Sequence, residues 1–362
     1  HGARVAAALD RLGWHWWPSD AAILSTGRTG REGCNQCGPC GVGCPRHARA
    51  SADIAYLGPA RARGVEVRAG ATVTALRMGR GGTRALGLDY VDGEGKKGLD
   101  CAEVVLAGNA LGTARLLHGR LDDPRLGRGL MMHPTAIVTG LFDAPLQSWR
   151  GAFAASLVSQ EFYETDRARG FLRGFQMQAL REQGPLVTAL GGYGTRLPWG
   201  RGHAAAFEAT FGRSLSLTVT CDDLPEDDNR IEMHPTQLDR HGLPVPRLIY
   251  RRGENTRAML RFGIDRAGEA LRAAGAREIR VTELSRNAGF HLMGTAHMGA
   301  TARDGVTGPE GRVHGVENLS IVDASIFATA AAVNPTSTLQ AIALRAGAAM
   351  KARLGAAEAA EA

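Results

Sequence analysis

The chain has 362 residues, enough for one large or two ordinary domains, and its 44% hydrophobic and 22% charged residues exclude a largely disordered protein. The net charge of +7 comes from scattered arginines without a basic run, and no apolar stretch reaches the ~18–20 residues of a membrane span. We therefore expect no nucleic-acid partner and no membrane span. The first residues lack a signal-peptide layout, but the chain begins at His1 without an initiator Met, so the location stays unknown, with the cytoplasm as the default.

Two helices are predicted near the N-terminus. Residues 3–12 (ARVAAALDRL) have a helical pattern that ends at Gly13. A less regular helix is predicted from Ser51 to Gly64, where Pro59 interrupts the pattern.

Four of the six cysteines lie between these helices, at Cys34, Cys37, Cys40 and Cys44. This clustering indicates metal or loop chemistry, because six cysteines are too few for a disulfide scaffold in a chain of this length. The spacing matches the bacterial ferredoxin run, in which the fourth cysteine binds a different cluster. An iron–sulfur cluster and a zinc site are both alternatives to a metal-free loop of thiols, which is the interpretation we favour.

The hydrophobic period changes to two after residue 64. Segments 65–68, 71–78, 83–91 and 102–110 predict a small antiparallel excursion that returns to a buried strand. That strand ends at Gly108, before a helix. Proteins of the α/β class place phosphate and nucleotide groups at such a point, although an ordinary strand-to-helix turn fits the pattern equally well.

The middle of the chain, from His133 to about Thr220, has several strand-like segments and weak helix signals. It predicts the antiparallel sheet of a second domain. A long helix at 255–274, a strand at 318–322 and a final helix at 337–354 follow. These strands and helices predict the fold class α/β (α+β).

Cys101 and Cys221 lie in apolar strand-like segments and are expected to be small buried residues.

Polar groups near the C-terminus are candidates for chemistry. His291 and His297 lie among glycines and apolar residues, where a histidine is more often a core residue than a catalyst. However, a strand that ends at Asp323 and a helix that begins after Asn334-Pro335 can bring polar groups into one crevice. The first N–H groups of that helix, from Thr336 onward, can face an anion or a carbonyl oxygen.

Several motifs in chain order resemble those of the glucose-methanol-choline (GMC) oxidoreductases. The C-terminal ones are His291-Leu-Met-Gly-Thr295, Met298-Gly299, Asn318-Leu-Ser-Ile-Val-Asp323-Ala-Ser325, Asn334-Pro335-Thr336 and Ala341-Ile-Ala-Leu-Arg345. Upstream, GRGLMMHP (127–134) and AEVVLAGNALGTARLL (102–117) resemble the entry to the family's substrate domain and its strand and turn against the flavin. The cysteine loop followed by ASADIAYL (50–57) is similar to the long-chain alcohol oxidase and bacterial dehydrogenase branches.

This resemblance implies an incomplete FAD-binding Rossmann-like domain and a substrate domain on an antiparallel sheet covered by helices. It assigns residues 1–125 and 286–362 to the FAD-binding domain, the latter with the active site, and residues 126–285 to the substrate domain. The sequence has no Gly-x-Gly-x-x-Gly unit after a predicted strand near residue 1 to hold the ADP part of FAD. The chain thus resembles the C-terminal two-thirds of such an enzyme.

The resemblance also implies a reaction, the oxidation of an alcohol CH–OH group to a carbonyl by hydride transfer to flavin N5. His291 is the implied general base, and Asn334 is the implied donor to the substrate oxygen. His297 matches no catalytic position. The residues implied to lie near the flavin are Val73, Gly108, Asp323, Ala324 and Thr336.

The motifs leave the alcohol and the electron acceptor open, the latter being oxygen, a quinone or a cytochrome. The alternative function is a non-catalytic remnant or binding subunit whose cysteine loop is a structural metal site.

Overall fold

The computed structural model describes residues 1–28, 30–38, 40, 43–152, 155–181, 184–191, 197–284 and 291–361. Its helices are α1 (Gly2–Leu12), α2 (Gly58–Arg61), α3 (Asn109–Leu117), α4 (Pro185–Ala189), α5 (His203–Thr210), α6 (Glu254–Ala273) and α7 (Thr336–Glu361). Its strands are β1 (Trp17–Pro18), β2 (Thr72–Met78), β3 (Ala85–Asp92), β4 (Gly95–Asp100), β5 (Val104–Leu106), β6 (Thr135–Leu141), β7 (Ala155–Ser159), β8 (Phe175–Leu180), β9 (Ser214–Cys221), β10 (Arg230–Leu238), β11 (Pro244–Ile249), β12 (Glu278–Thr282) and β13 (Leu319–Ile321).

The chain divides into two compact units. Unit 1 comprises His1–Val67, Pro134–Cys221 and Asn255–Ala288, and unit 2 comprises Arg68–His133, Asp222–Glu254 and Gly289–Ala362. Residues 1–67 thus lie with the central sheet rather than with residues 68–125, which the sequence grouped with them. The predicted boundary at 285/286 lies outside the described residues, and the functional labels of the three segments stay predictions.

Unit 1 is built on a six-stranded antiparallel sheet with the order β1-β7-β8-β9-β6-β12. Alternate residues of β9, Leu215, Leu217 and Val219, belong to the core of this unit, as the period of two of a β-strand allows. Two helices supply the other side of that core. Helix α1 contributes Val5, Ala8 and Leu9, and α6 contributes Met259, Leu260, Ala267 and Leu271. The predicted antiparallel sheet covered by helices is confirmed.

Helix α6 lies unusually close to the sheet at Gly263. A Cβ atom at this position would lie 2.4 Å from Cγ1 of Val219, which is less than any ordinary contact. Glycine therefore lets the helix backbone approach the sheet.

Unit 2 contains three small sheets: β2-β3-β4, the hairpin β10-β11 and the pair β13-β5. The first two are antiparallel, whereas β5 and β13 are parallel. The side chain of Asn318 bonds the backbone of Ala85 and Ala102 at 2.7–2.8 Å, and so links the ends of β3, β5 and β13. The parallel pair brings its two carboxyl ends together, and Gly108 and Asp323 follow directly after them.

Some local predictions are wrong. Residues 65–68 form no strand, and Val65 and Val67 are exposed. Cys221 is buried as expected, but Cys101 is partly exposed. None of the described helices is both long and apolar enough to cross a membrane.

Candidate active site

Two histidines from distant parts of the chain meet in unit 2. Met131 and Met293 form an antiparallel bridge, with both backbone N–H···O distances at 3.0 Å. Two residues after Met131 and two residues before Met293, this antiparallel register places His133 opposite His291 on the same side. Their Nδ1 atoms are 2.8 Å apart, and their ring planes are inclined at 77°. The pair is therefore a direct hydrogen bond between imidazoles.

His133 is the buried member of the pair, with 1% of its surface exposed. Its Nε2 atom lies 3.1 Å from the carbonyl oxygen of Ala330. Burial lowers the pKa of His133, against the opposite effect of backbone bonds to Ala330 and Ala331. At neutral pH this imidazole is uncharged.

His291 is half-buried and has a left-handed backbone conformation, with φ +60°. Histidine is among the few non-glycine residues that adopt this conformation. Burial, with a smaller contribution from the neighbouring His133, lowers the pKa of His291 to about 4. The imidazole is therefore neutral at neutral pH, which is the state that a general base requires.

A buried carboxylate, that of Asp223, contacts the segment that carries His133. Oδ2 of Asp223 accepts hydrogen bonds from the backbone N–H of Met132 at 3.2 Å and from the hydroxyl of Tyr250 at 2.8 Å. Burial, together with the charge of Asp223, raises the pKa of Tyr250. The Tyr250 hydroxyl stays protonated and ties the β11 end to the segment that carries His133.

Gly108 and Asp323, both predicted to lie near a flavin, are brought together by Thr113. The Gly108 N–H donates to the Thr113 hydroxyl at 3.2 Å, and that hydroxyl donates to Oδ2 of Asp323. The other carboxylate oxygen accepts the N–H of Ser325 at 2.9 Å. Asp323 therefore holds the turn after β13 against the start of α3. The hydroxyl of Ser325 is buried in this turn and has no hydrogen-bond partner among the residues that the structure describes.

The remaining predicted residues are Ala324, Asn334, Thr336 and Val73. Ala324 packs against the buried cluster of Met131, Met293, Phe327 and Ala330, as do Leu339 and Ile342 of α7. Asn334 follows Ala330 by four residues and precedes Thr336, the first residue of α7. Val73 lies on β2 opposite Tyr90, in the three-stranded sheet. The catalytic role of Asn334 and the flavin contacts of Val73 and Thr336 stay predictions.

The cysteine loop belongs to unit 1. Cys37 is exposed, Cys40 is buried, and Cys34 and Cys44 are partly exposed. Hydrogen bonds from backbone N–H groups, chiefly that of Arg49, lower the pKa of the Cys44 thiol. Within the part of the chain that the structure describes, no three His, Cys, Asp or Glu side chains are gathered as a metal-binding group. The metal assignment of these cysteines stays a prediction.

Sequence reasoning missed the partners of the predicted residues. His133 was noted as part of a motif without a role, and Thr113, Asp223 and Tyr250 were not singled out. In the sequence, the position of His133 directly before Pro134 is only a weak sign that this histidine belongs to the site. The pairing itself depends on a contact between residues 158 positions apart.

Comparisons with known proteins identify the family of this chain. Two sequence models described as GMC oxidoreductase match residues 24–135 and 225–343, which together make up more than half of the chain. The chain belongs to the GMC oxidoreductase family. The second match includes His291, Asp323 and Asn334.

Individual relatives in this family are oxidoreductases. The chain is 37% identical over 361 residues to 2-methyl-1,2-propanediol dehydrogenase of Mycolicibacterium austroafricanum, covering 96% of this chain and 65% of that protein. It is 29% identical to 6'''-hydroxyparomomycin C oxidase of Streptomyces lividus, covering 86% of this chain and 57% of that protein. The chain thus spans less than two-thirds of the length of these relatives.

The fold is also similar to that of a solved structure. Pyridoxine 4-oxidase from Mesorbium loti matches with a TM-score of 0.58 at 17% identity, over 83% of this chain and 61% of that one. The α/β fold class with antiparallel sheets is therefore confirmed.

The residues present fit one end of an FAD molecule. The parallel pair β5–β13 ends at Gly108 and the buried Asp323, a position where α/β proteins bind nucleotides. The unpartnered Ser325 hydroxyl and the first N–H groups of α7 are polar groups of the kind that hold a flavin ring and its chain.

Proposed function

We propose that this chain carries the alcohol-oxidising site of an FAD-dependent oxidoreductase. The observation that supports this most directly is the His133–His291 pair, packed beside the turn after β13 and the start of α7 in a GMC family member. A neutral, half-buried imidazole at this place is suited to remove a proton from a substrate hydroxyl.

The chain's own residues have separate tasks in this proposal. His291 accepts the hydroxyl proton as the C–H bond of the alcohol carbon breaks. Asn334 donates its amide N–H to the substrate oxygen, where negative charge grows. That negative charge stabilises the imidazolium form of His291. It therefore raises the pKa of His291, against the lowering effect of burial in the absence of substrate.

The flavin supplies the redox chemistry. When bound, FAD would supply the acceptor, N5, for the hydride that the alcohol carbon loses as it becomes a carbonyl carbon. Gly108, Asp323, Ala324, Thr336 and Val73 are the residues that we propose to hold it. Asp323 acts by fixing the turn through Thr113 and Ser325, because both of its oxygens already accept hydrogen bonds there.

We propose small hydroxylated compounds as the substrates, with vicinal diols first. The name of the dehydrogenase from Mycolicibacterium austroafricanum specifies such a diol, and this relative matches 96% of the chain. The alternative of a non-catalytic binding subunit is not favoured, because the matched segments include every residue of the proposed site.

The test is flavin binding followed by flavin reduction. The 362-residue chain and the same chain extended by the coding sequence upstream of His1 are purified, and their flavin absorbance is recorded. We expect the extended protein to retain FAD and to be bleached by 2-methyl-1,2-propanediol without oxygen, with a matched alkane-ether lacking hydroxyl groups as the control. A flavin-free extended protein, or a bound flavin that no hydroxylated compound bleaches, would contradict the proposal.

A further inference from the structure

We infer that His133 is a positioning residue that fixes His291 as the Nδ1–H tautomer, which makes Nε2 the nitrogen that accepts the substrate proton. This rests on the proposed function for its consequence in catalysis. The tautomer itself follows from two hydrogen bonds in series. One joins the Ala330 carbonyl oxygen to Nε2 of His133, and the other joins Nδ1 of His133 to Nδ1 of His291.

The first link sets the protonation of His133. A carbonyl oxygen can only accept a hydrogen bond, so the Nε2 atom of His133, 3.1 Å from Ala330, carries a hydrogen. A neutral imidazole has one N–H group, and Nδ1 of His133 is therefore the acceptor.

The second link sets the protonation of His291. Its Nδ1 atom is 2.8 Å from Nδ1 of His133, a distance that needs one donor and one acceptor. Because His133 accepts here, His291 donates from Nδ1. A neutral His291 then has its lone pair on Nε2, on the far side of the ring.

Two other proton arrangements conflict with the surroundings. If His133 carried its hydrogen on Nδ1, the lone pair of Nε2 would face the lone pairs of the Ala330 oxygen at 3.1 Å. If His133 carried both hydrogens, a cation would be buried with 1% of its surface exposed, beside the His291 ring and the backbone of Ala330 and Ala331.

The fold holds this row of atoms in place from both ends. The Met131–Met293 bridge sets the register of the two histidines, and Phe327 and Ala330 pack in the same cluster as this bridge. The backbone that supplies the carbonyl therefore belongs to the same buried cluster as the backbone that supplies both rings.

The direct test is nitrogen NMR of the protein with isotopically labelled histidine at neutral pH. The signals of His291 are assigned by their loss in His291→Gln. We expect the chemical shift of Nδ1 to be that of a nitrogen that carries a hydrogen, and the chemical shift of Nε2 to be that of a nitrogen with a free lone pair. The opposite pattern in the wild-type protein would overturn the inference, whatever the enzyme does with alcohols.

Two variants of His133 form a matched pair. His133→Gln keeps one donor and one acceptor on neighbouring atoms, whereas His133→Leu removes both. We expect Leu to shift His291 toward the Nε2–H tautomer and to slow flavin reduction by ~10- to 10⁴-fold at nearly unchanged KM, with Gln restoring most of the rate. Equal tautomers and equal rates in the Leu variant would contradict the inference.

The outcomes separate this inference from the proposed function. If no alcohol reduces the flavin, the proposed function fails, and the NMR pattern still decides the tautomer. If the Leu variant does not fold, the wild-type spectrum and the Gln variant decide it alone.

Discussion

His291 is held in an environment that disfavours its charged form. Its ordinary pKa of 6.5 falls to about 4, first because of burial and then because of His133. A histidine in the unfolded chain binds a proton near its ordinary pKa, so between these two values the unfolded state binds more protons than the folded state. The contribution of His291 to stability is complete above pH 6.5 and is lost as the pH falls toward about 4.

This predicts a pH-dependent difference between the wild-type protein and His291→Gln. The free energy of unfolding of the wild type should fall more steeply between these pH values than that of the variant, because Gln does not titrate. Chemical denaturation at a series of pH values measures both slopes. Identical slopes would contradict the lowered pKa.

Thr113 links Gly108 to the buried carboxylate of Asp323. Thr113→Val should destabilise the protein by about 1–3 kcal/mol, since it leaves the Gly108 N–H and one carboxylate oxygen short of a partner. Thr301→Val is the control, because this exposed threonine bonds Asp304 at the surface, where about 0.5 kcal/mol or less is expected. Equal midpoints of denaturation for the two variants would show that the link adds no stability.

At the scale of the element, the close contact between α6 and β9 at Gly263 can be tested by substitution. Gly263→Ala should cost about 1–3 kcal/mol, because the new methyl group would overlap Val219. Gly268→Ala, on the same helix, meets only the flexible end of Arg272 at 3.3 Å and should be neutral or stabilising. Thermal denaturation compares the two, and equal losses would contradict the packing argument.

The elements that could be predicted from sequence are those whose pattern reflects burial. Helix α1 and helix α6 each bury one apolar face, and their predicted bounds lie within one residue of the observed ones. Strand β9 alternates and lies in the middle segment for which the sequence predicts several strands. The exposed strand β4 (GKKGLD) carries no hydrophobic signal, and the hairpin strand β10 contains Pro235 and is mostly exposed at its end. The segment 65–68 alternates well, but no strand pairs with it.

The candidate site follows the same division. Gly108 and Asp323 could be predicted to meet, because each follows a strand of a parallel pair. The His133–His291 contact could not, because its register comes from the bridge between Met131 and Met293, and no local pattern specifies which distant segments pair.

We propose that the metal content of the cysteine loop determines how electrons leave the flavin. A cluster would give the flavin a one-electron outlet and favour a dehydrogenase, whereas a loop of thiols favours direct reaction with oxygen or a quinone. We predict that protein purified without oxygen holds no stoichiometric iron, sulfide or zinc. About three or more irons per chain that are lost in Cys37→Ser would overturn this prediction. Cys101→Ser is the control, since Cys101 lies outside the loop.

At the scale of the whole molecule, the proposed chemistry depends on residues from both family matches. His133 lies in the match to residues 24–135, and His291 and Asn334 lie in the match to residues 225–343. Residues 136–224 between the matches supply β6 to β9 of unit 1. The proposed base and its positioning residue therefore lie 158 positions apart, one in each match, and we expect both matched segments to be needed for activity.

The central claim is that His291 removes the proton during alcohol oxidation. It is tested most directly by mixing the flavin-loaded protein with 2-methyl-1,2-propanediol without oxygen and following the flavin absorbance. We predict that His291→Ala retains the flavin and reduces it ~10²–10⁴-fold more slowly than the wild type. His297→Ala, whose ring contacts the carbonyl of Asp304, should keep the wild-type rate. Flavin reduction at the wild-type rate in His291→Ala would contradict the claim.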